Sequence, residues 1–242
     1  MCVILVKKSD QEITDLKLAE QMYLSNTHGI GVAASDGKAI HVWKNIPKNW
    51  AAAKKFLLSI PSWVFNKGCI SAFHYRIATS GTISEDCCHP FVVEGKLEHT
   101  ICARNGYQKL TSGAIIMHNG ILDSYITTKE QNLYFKSFND TQVFTSKVIY
   151  PMIAKLGILQ TSDILHRMIS GSRLLIMSAD NAYSVGSWDK HEGFLISNKY
   201  FLPSKVPFTL GGCEVCGSNK STAYIEEMGI DMCMECYKIF SK

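Results

Sequence analysis

The chain has 242 residues, of which 46% are apolar, 10% aromatic and 19% charged, and its formal net charge is +4. That apolar share is ample for a packed core, which excludes a disordered chain, and the mild charge carries no Lys/Arg block of the kind a nucleic-acid binder needs. No stretch approaches the roughly 18 to 20 apolar residues of a membrane helix, and the apolar run Val3–Val6 is followed at once by Lys7 and Lys8, the reverse of a secretory signal; a cytoplasmic protein is expected.

In chain order, CVILVK reads as a buried strand. ITDLKLAEQMYLS has helical spacing and ends near Asn26. GIGVAASDGKAIHVW reads as a hairpin turning at Asp36-Gly37. PKNWAAAKKFLLSI predicts a helix with Pro47 in its first turn. CISAFHYRIAT is a strand running into a polar loop. VVEGKLEHTICARNGYQKL reads as extended structure with a turn at Asn105-Gly106, and SGAIIMHNG as another buried strand. TQVFTSKVIYPMIAKL is helical with an interruption at Pro151, and SDILHRMIS is a second short helix. RLLIMSAD, AYSVGSW and GFLISN then form a run of short strands. Neither strict βαβ alternation nor an all-β pattern fits this order, so two sheets with helices packed outside them are expected.

Four of the nine cysteines fall in the last thirty residues. CEVCG and CMEC place Cys213, Cys216, Cys233 and Cys236 in two C-x2-C knuckles separated by sixteen residues, a zinc spacing. Four thiolates make a closed tetrahedral shell, which predicts a structural zinc with no open position for catalysis. Gly217 suits the tight turn, and TAYIE between the knuckles reads as a strand. The join to the preceding domain is expected in LPSKVPFTLGG, where prolines and glycines cluster.

Several motifs are missing. The chain has no phosphate-binding P-loop, no Gly-rich dinucleotide turn, no G-x-S-x-G elbow and no H-E-x-x-H pair. What remains are polar residues that interrupt or end apolar strands: His74, Arg76 and Thr79, then His89, His118, Asn119 and Asp140. Each has an ordinary structural reading. Arg76 suits a surface ion pair, His89 a turn before Pro90, Asn119-Gly120 a plain turn, and Asp140 the N-cap of the helix that follows.

Together they fit an acyl-transfer site. Cys2, once exposed by loss of Met1, would carry its own base in the α-amino group. The Asn119 amide and the Gly120 N–H would supply two oxyanion donors, the glycine permitting close approach. Arg76 suits a carboxylate and Asp140 an ammonium, a clamp for the zwitterionic end of a free amino acid.

On MCVIL, HGIGVAASDG, HYRIATSG followed by HPF, HNGIL, NDTQVF and SNKYFLP, the chain resembles the class II glutamine amidotransferase domain over about residues 2–205. The resemblance implies an α+β fold, the four-layer αββα sandwich of N-terminal-nucleophile hydrolases. It implies Cys2 as nucleophile, Asn119 and Gly120 as oxyanion hole, Arg76 and Asp140 as the grip on glutamine, and Thr79 and His89 as pocket lining. Val3 stands where many members have glycine, Ile77 where many have an aromatic residue, and Cys87 and Cys88 precede the expected histidine. Those two thiols read as half-buried loop residues.

The expected layout is an amidotransferase domain at 1–205 and a zinc ribbon at 210–242. The expected reaction releases ammonia from glutamine through a γ-glutamyl thioester, without a cofactor. Because little beyond the ribbon follows that domain, a separate ammonia-accepting synthetase or transferase is expected as partner. Two readings compete: a stand-alone amidohydrolase of a γ-glutamyl compound, and a non-catalytic protein whose ribbon binds protein or nucleic acid.

Overall fold

The computed structural model describes residues 2–78, 82–135, 137–202, 208–209, 213, 215–216, 218, 222–225 and 230–240. The chain divides into two compact units, Met1–Phe201 and Leu202–Lys242.

The first unit is mixed α/β with two antiparallel sheets. In chain order its elements are β1 (Val3–Lys7), α1 (Lys17–Ser25), β2 (Ile30–Ser35), β3 (Ile40–Asn45), α2 (Trp50–Ser59), β4 (Ile70–Tyr75), β5 (Phe91–Val92), β6 (Tyr107–Leu110) and β7 (Ile115–Asn119). Then follow α3 (Thr128–Tyr134), α4 (Asp140–Phe144), α5 (Tyr150–Leu156), α6 (Ile158–Met168), β8 (Arg173–Met177), β9 (Ala182–Val185), β10 (Asp189–His191) and β11 (Phe194–Ile196). The larger sheet has the order β10-β11-β1-β4-β2-β3-β6 and the smaller β5-β7-β8-β9.

Strand alternation sorts the core into faces. Ile4, Val6, Ala33, Val42 and Ala72 of the larger sheet pack against Ile115, Met117, Leu175 and Met177 of the smaller. The opposite side of the smaller sheet buries Ile116, Leu174, Ile176 and Val185 with Val143, Phe144, Ile149 and Leu165 of the helices. The opposite side of the larger sheet sets Leu5, Phe73 and Tyr75 against Leu18, Ala19 and Met22 of α1 and Leu57 of α2.

Several expected boundaries move. Pro47 lies outside α2, whose cap is Asn49, its side chain accepting from the Ala52 N–H. VVEGKLEHTICARNGYQKL is not one extended run: it holds the short β5, a 3-10 turn at Leu97–Thr100 and β6. The interruption expected at Pro151 falls one turn earlier, as a π-helical turn at Thr145–Ile149. Widening the helix there accommodates the proline, which can neither donate to the preceding turn nor tolerate a carbonyl against its ring. Helix α3 was not anticipated, although Thr127 and Glu130 form a reciprocal capping box at its start.

The far end of β1 is anchored by a buried cation. Lys7 is fully buried, and its Nζ donates to Asn66 O and Cys69 O, each at 2.7 Å, and to Gln11 O at 3.2 Å. Lys7→Met strands those carbonyls in the interior and should lower unfolding free energy by roughly 2 to 4 kcal/mol. Urea titration measures this; an unchanged midpoint would show that the anchor contributes nothing.

In the second unit, β12 (Phe208–Thr209), β13 (Thr222–Ile225) and β14 (Ile230–Cys233) form a three-stranded antiparallel sheet ahead of α7 (Met234–Phe240). The TAYIE strand is thus present as β13, while Gly217 lies outside the described residues. Among the described residues no helix is long and apolar enough to cross a membrane.

Candidate active site

Cys2 immediately precedes β1, a central strand of the larger sheet. Val3 pairs with Tyr75, so continuing the register sets Cys2 opposite Arg76. Arg76 extends its own ladder past β4: its N–H donates to Gly29 O, and its carbonyl accepts from the His28 N–H, both at 2.9 Å. The side chain is 3% exposed and Nη1 donates to Thr82 O at 2.7 Å. That corrects the surface ion-pair reading of Arg76, since the residue is buried.

The Cys2 thiol is partly buried and donates to Ile77 O at 3.4 Å. Burial pushes it above the usual thiol range; the Ile77 backbone and the Arg76 charge pull it back, and the Asp140 charge raises it. Charges from two distant parts of the sequence therefore act on one sulfur. A thiol held up in this way is protonated near neutrality, so it becomes a nucleophile only with a base beside it.

Asp140 is the first residue of α4, not its cap. The cap is Asn139, whose side chain accepts from the Gln142 N–H while Gln142 returns a bond to the Asn139 N–H. Relieved of capping, the Asp140 carboxylate reaches the loop after β7. Its Oδ2 accepts from the Leu122 N–H at 3.0 Å and its Oδ1 from the Thr141 N–H at 2.8 Å. Burial raises this carboxyl, and those N–H bonds oppose the rise. Each oxygen retains accepting capacity, so an ammonium can still be bound.

Asn119 closes β7 and is 1% exposed. Its Nδ2 lies 2.9 Å from Ser197 Oγ, which also accepts the Ile4 N–H at 2.9 Å. One serine therefore joins the amide to the strand that carries Cys2. Gly120 follows with φ +146°, and a Cβ there would collide with the Ser172 hydroxyl. Ser172 Oγ accepts from the Ile121 N–H at 3.2 Å and donates to Ile121 O at 3.1 Å. The plain-turn reading of Asn119-Gly120 is too weak, because this loop is pinned by Ser197, Ser172 and Asp140.

Behind the loop lie three buried histidines. His118 meets Thr141 Oγ1 through Nδ1 at 2.8 Å and Ser172 Oγ through Nε2 at 3.2 Å. Since the Ser172 hydroxyl proton goes to Ile121 O, Nε2 carries the proton and Nδ1 accepts from Thr141. His74 Nε2 donates to His118 O at 3.1 Å. His89 is 5% exposed and packs its ring, tilted, against His74, with ring centroids 4.2 Å apart, and against Phe91. The backbone of His89 lies directly over Gly31, where any side chain would strike its carbonyl, and Cys88 Sγ lies over Gly29. The two glycines of HGIGV are thus the bed for CCHP. Cys87 and Cys88 are fully buried rather than half-buried, and burial pushes Cys88 up to about 11. Thr79 lies outside the described residues.

These histidines make the unit acid-sensitive. Burial lowers His74 and His118 to about 3 and His89 well below 6.5. Unfolded imidazoles bind protons below about 6.5, whereas the folded ones do not, so the unfolded state holds more protons and stability falls as pH drops through that value toward about 3. Between about pH 7 and about pH 5 each such histidine should cost on the order of 2 kcal/mol. All four tryptophans, Trp43, Trp50, Trp63 and Trp188, lie in this unit, so their fluorescence in urea reads it directly. A flat urea midpoint across that range would contradict the burial.

The second unit holds a separate cluster. The ligand atoms of Cys213, Cys216, Cys233 and Cys236 all lie within 4.8 Å of one another, a group that could hold a metal ion. Cys216 Sγ is 3.8 Å from Cys233 Sγ, close to the edge of a tetrahedron built from metal–sulfur bonds of about 2.3 Å. The Cys233 N–H donates to Cys213 Sγ at 3.2 Å and holds that thiol down, to about 6, which favours the metal-binding thiolate.

Ser172, Ser197 and Asn198 do not stand out in the sequence, although the last two open the SNKYFLP stretch. A single serine or asparagine carries no pattern of its own; only the fold shows what it touches.

No family model matches the chain. In sequence it is similar to the amidophosphoribosyltransferase of Methanocaldococcus jannaschii, 29% identical over 167 residues, covering 65% of this chain and 30% of that protein. In structure it is similar to the Bacillus subtilis glutamine phosphoribosylpyrophosphate amidotransferase complexed with ADP and GMP, with a TM-score of 0.51 and 17% identity. That match covers 83% of this chain and 42% of the other, and shows a shared fold. The chain therefore spans less than half the length of either protein.

Proposed function

We propose that the chain is a glutamine amidotransferase of the class II, N-terminal-cysteine type, built as an αββα sandwich over about residues 1–205, that releases ammonia from glutamine. The observation that carries this reading is the setting of Cys2. It stands, partly buried, at the start of a central strand, opposite a buried arginine, under the charge of Asp140, with Ser197 linking its strand to Asn119. The likeness to two amidotransferases, reached separately by sequence and by fold, supports it.

In the proposed reaction Met1 has been removed and the α-amine takes the Cys2 proton. An α-amino group has an ordinary pKa of about 7.7 to 8.0, suited to accepting a proton from a thiol held high and returning it to the leaving nitrogen. The sulfur attacks the side-chain amide carbon of glutamine, with Arg76 on its α-carboxylate and Asp140 on its α-ammonium. Asn119 Nδ2 and the Gly120 N–H stabilise the oxyanion. Ammonia leaves, a γ-glutamyl thioester remains, and water releases glutamate. Thr79 and His89 are assigned to the pocket wall by resemblance.

The test is ammonia release from glutamine compared with release of amines from γ-glutamyl amides. Preference for glutamine by at least tenfold in kcat/KM supports the reading. Preference for a bulkier amide would make the protein an amidohydrolase of γ-glutamyl compounds, and no turnover with an unreactive Cys2 would leave an interaction protein.

For residues 210–242 we propose a ribbon closed by structural zinc on Cys213, Cys216, Cys233 and Cys236, which orders the strands without taking part in the chemistry. Elemental analysis should find about one zinc per chain, lost in Cys213→Ser; full occupancy in that variant would reject the ligand set. We further propose that the ammonia is consumed by a separate synthetase or transferase that docks through this ribbon in the cytoplasm. Deletion of 210–242 should abolish co-purification of that enzyme, and unaltered co-purification would refute the docking role.

A further inference from the structure

Resting on the reading above, we infer that Ser197 and Asn198 are a positioning pair that aligns the Cys2 strand with the oxyanion hole and fixes which end of the Asn119 amide faces the substrate. The bonds converge on one short stretch. Asn198 Nδ2 donates to Cys2 O at 2.7 Å, and Asn198 Oδ1 is itself held by the Tyr200 N–H at 3.1 Å. The Ser197 N–H donates to Ile4 O at 2.9 Å, and Ser197 Oγ accepts the Ile4 N–H at 2.9 Å. Peptide groups on both sides of Val3 are thereby clamped from the chain just beyond β11. The same hydroxyl reaches Asn119, and Ser197 is wholly buried.

Hydrogen counting gives the second half of the inference. Ser197 Oγ receives hydrogens from both the Ile4 N–H and Asn119 Nδ2, while Asn119 Oδ1 is buried without a partner. A half-turn of the amide about its terminal bond repairs this. Oδ1 then accepts the Ser197 hydroxyl proton, the Ile4 bond is kept, and an Nδ2 hydrogen is left for the oxygen of the substrate amide. The serine hydroxyl can both accept from the strand and donate to the amide. It selects the orientation in which Asn119 acts as a donor.

This role separates experimentally from a merely structural one. Ser197→Ala should lower kcat for glutamine about 10- to 100-fold, as a small misplacement at a reacting centre does, with KM changed less than about threefold. Alkylation of Cys2 by iodoacetamide, which forms no oxyanion, should keep its wild-type rate. In an Asn119→Ala background, adding Ser197→Ala should cost less than about threefold more, because the group it positions is gone. Ser197→Cys, close in size and a weak donor, should show the same kcat loss if the alanine variant folds poorly. Equal losses of kcat with and without Asn119, or slowed alkylation at unchanged kcat, would overturn the inference. If wild-type protein neither turns over glutamine nor alkylates at Cys2, it is the amidotransferase reading that fails.

Discussion

Cys2→Ala should abolish ammonia release from glutamine, a loss of at least about 10⁴-fold in kcat, while the fold and the binding of glutamine persist. Removing the nucleophile of a covalent mechanism leaves only what binding and the oxyanion hole supply. The substitution is structurally mild: Cys2 precedes β1, is partly buried, and among the described residues its thiol makes only the weak contact to Ile77 O. Arg76 and Asp140 are untouched, and removing a thiol disturbs neither charge. Glutamine should therefore still protect the variant in a thermal shift assay. Retention of even a tenth of wild-type turnover would mean that another group attacks the amide.

Asn119→Ala should cost about 100- to 1000-fold in kcat, the usual consequence of deleting one oxyanion donor, with a much smaller change in KM. The donor matters most when the carbonyl oxygen carries full negative charge, so its loss falls on the transition state and not on binding. A structural cost accompanies it, because Asn119 is buried and tied to Ser197. Circular dichroism on the same sample separates the two, and the account expects a folded protein with little turnover. Near-full activity in the folded variant would remove Asn119 from the mechanism.

How much of this was legible in the sequence depends on the residue. Strands such as β1 and β7 declared themselves as apolar runs, and the Asp36-Gly37 hairpin by its turn. The ligand spacing of the four C-terminal cysteines needed no fold. Arg76, by contrast, reads locally as a surface residue, because burial of a charge is a tertiary fact. Asp140 reads locally as a cap because both Asn139 and Asp140 are good caps, and only geometry shows that Asn139 has taken the role. Val3 and Ile77, which differ from the sequences the chain resembles, each have a plain local setting. Val3 alternates away from Cys2 and Ile4, on the same side as Leu5, so its bulk points away from the Cys2 thiol. Ile77 meets Cys2 through its carbonyl, which any residue provides. The serines were the least legible of all, since their importance lies wholly in partners as distant in sequence as Ile4 and Asn119 are from Ser197.

The most direct test of the central claim is the intact mass of the protein before and after treatment with a glutamine-analogue electrophile. The account predicts a chain lacking Met1 that gains one adduct, mapped by fragmentation to Cys2, with Cys69, Cys87, Cys88 and Cys102 unlabelled in their buried settings. A chain that keeps Met1, or an adduct on any other cysteine, would contradict it.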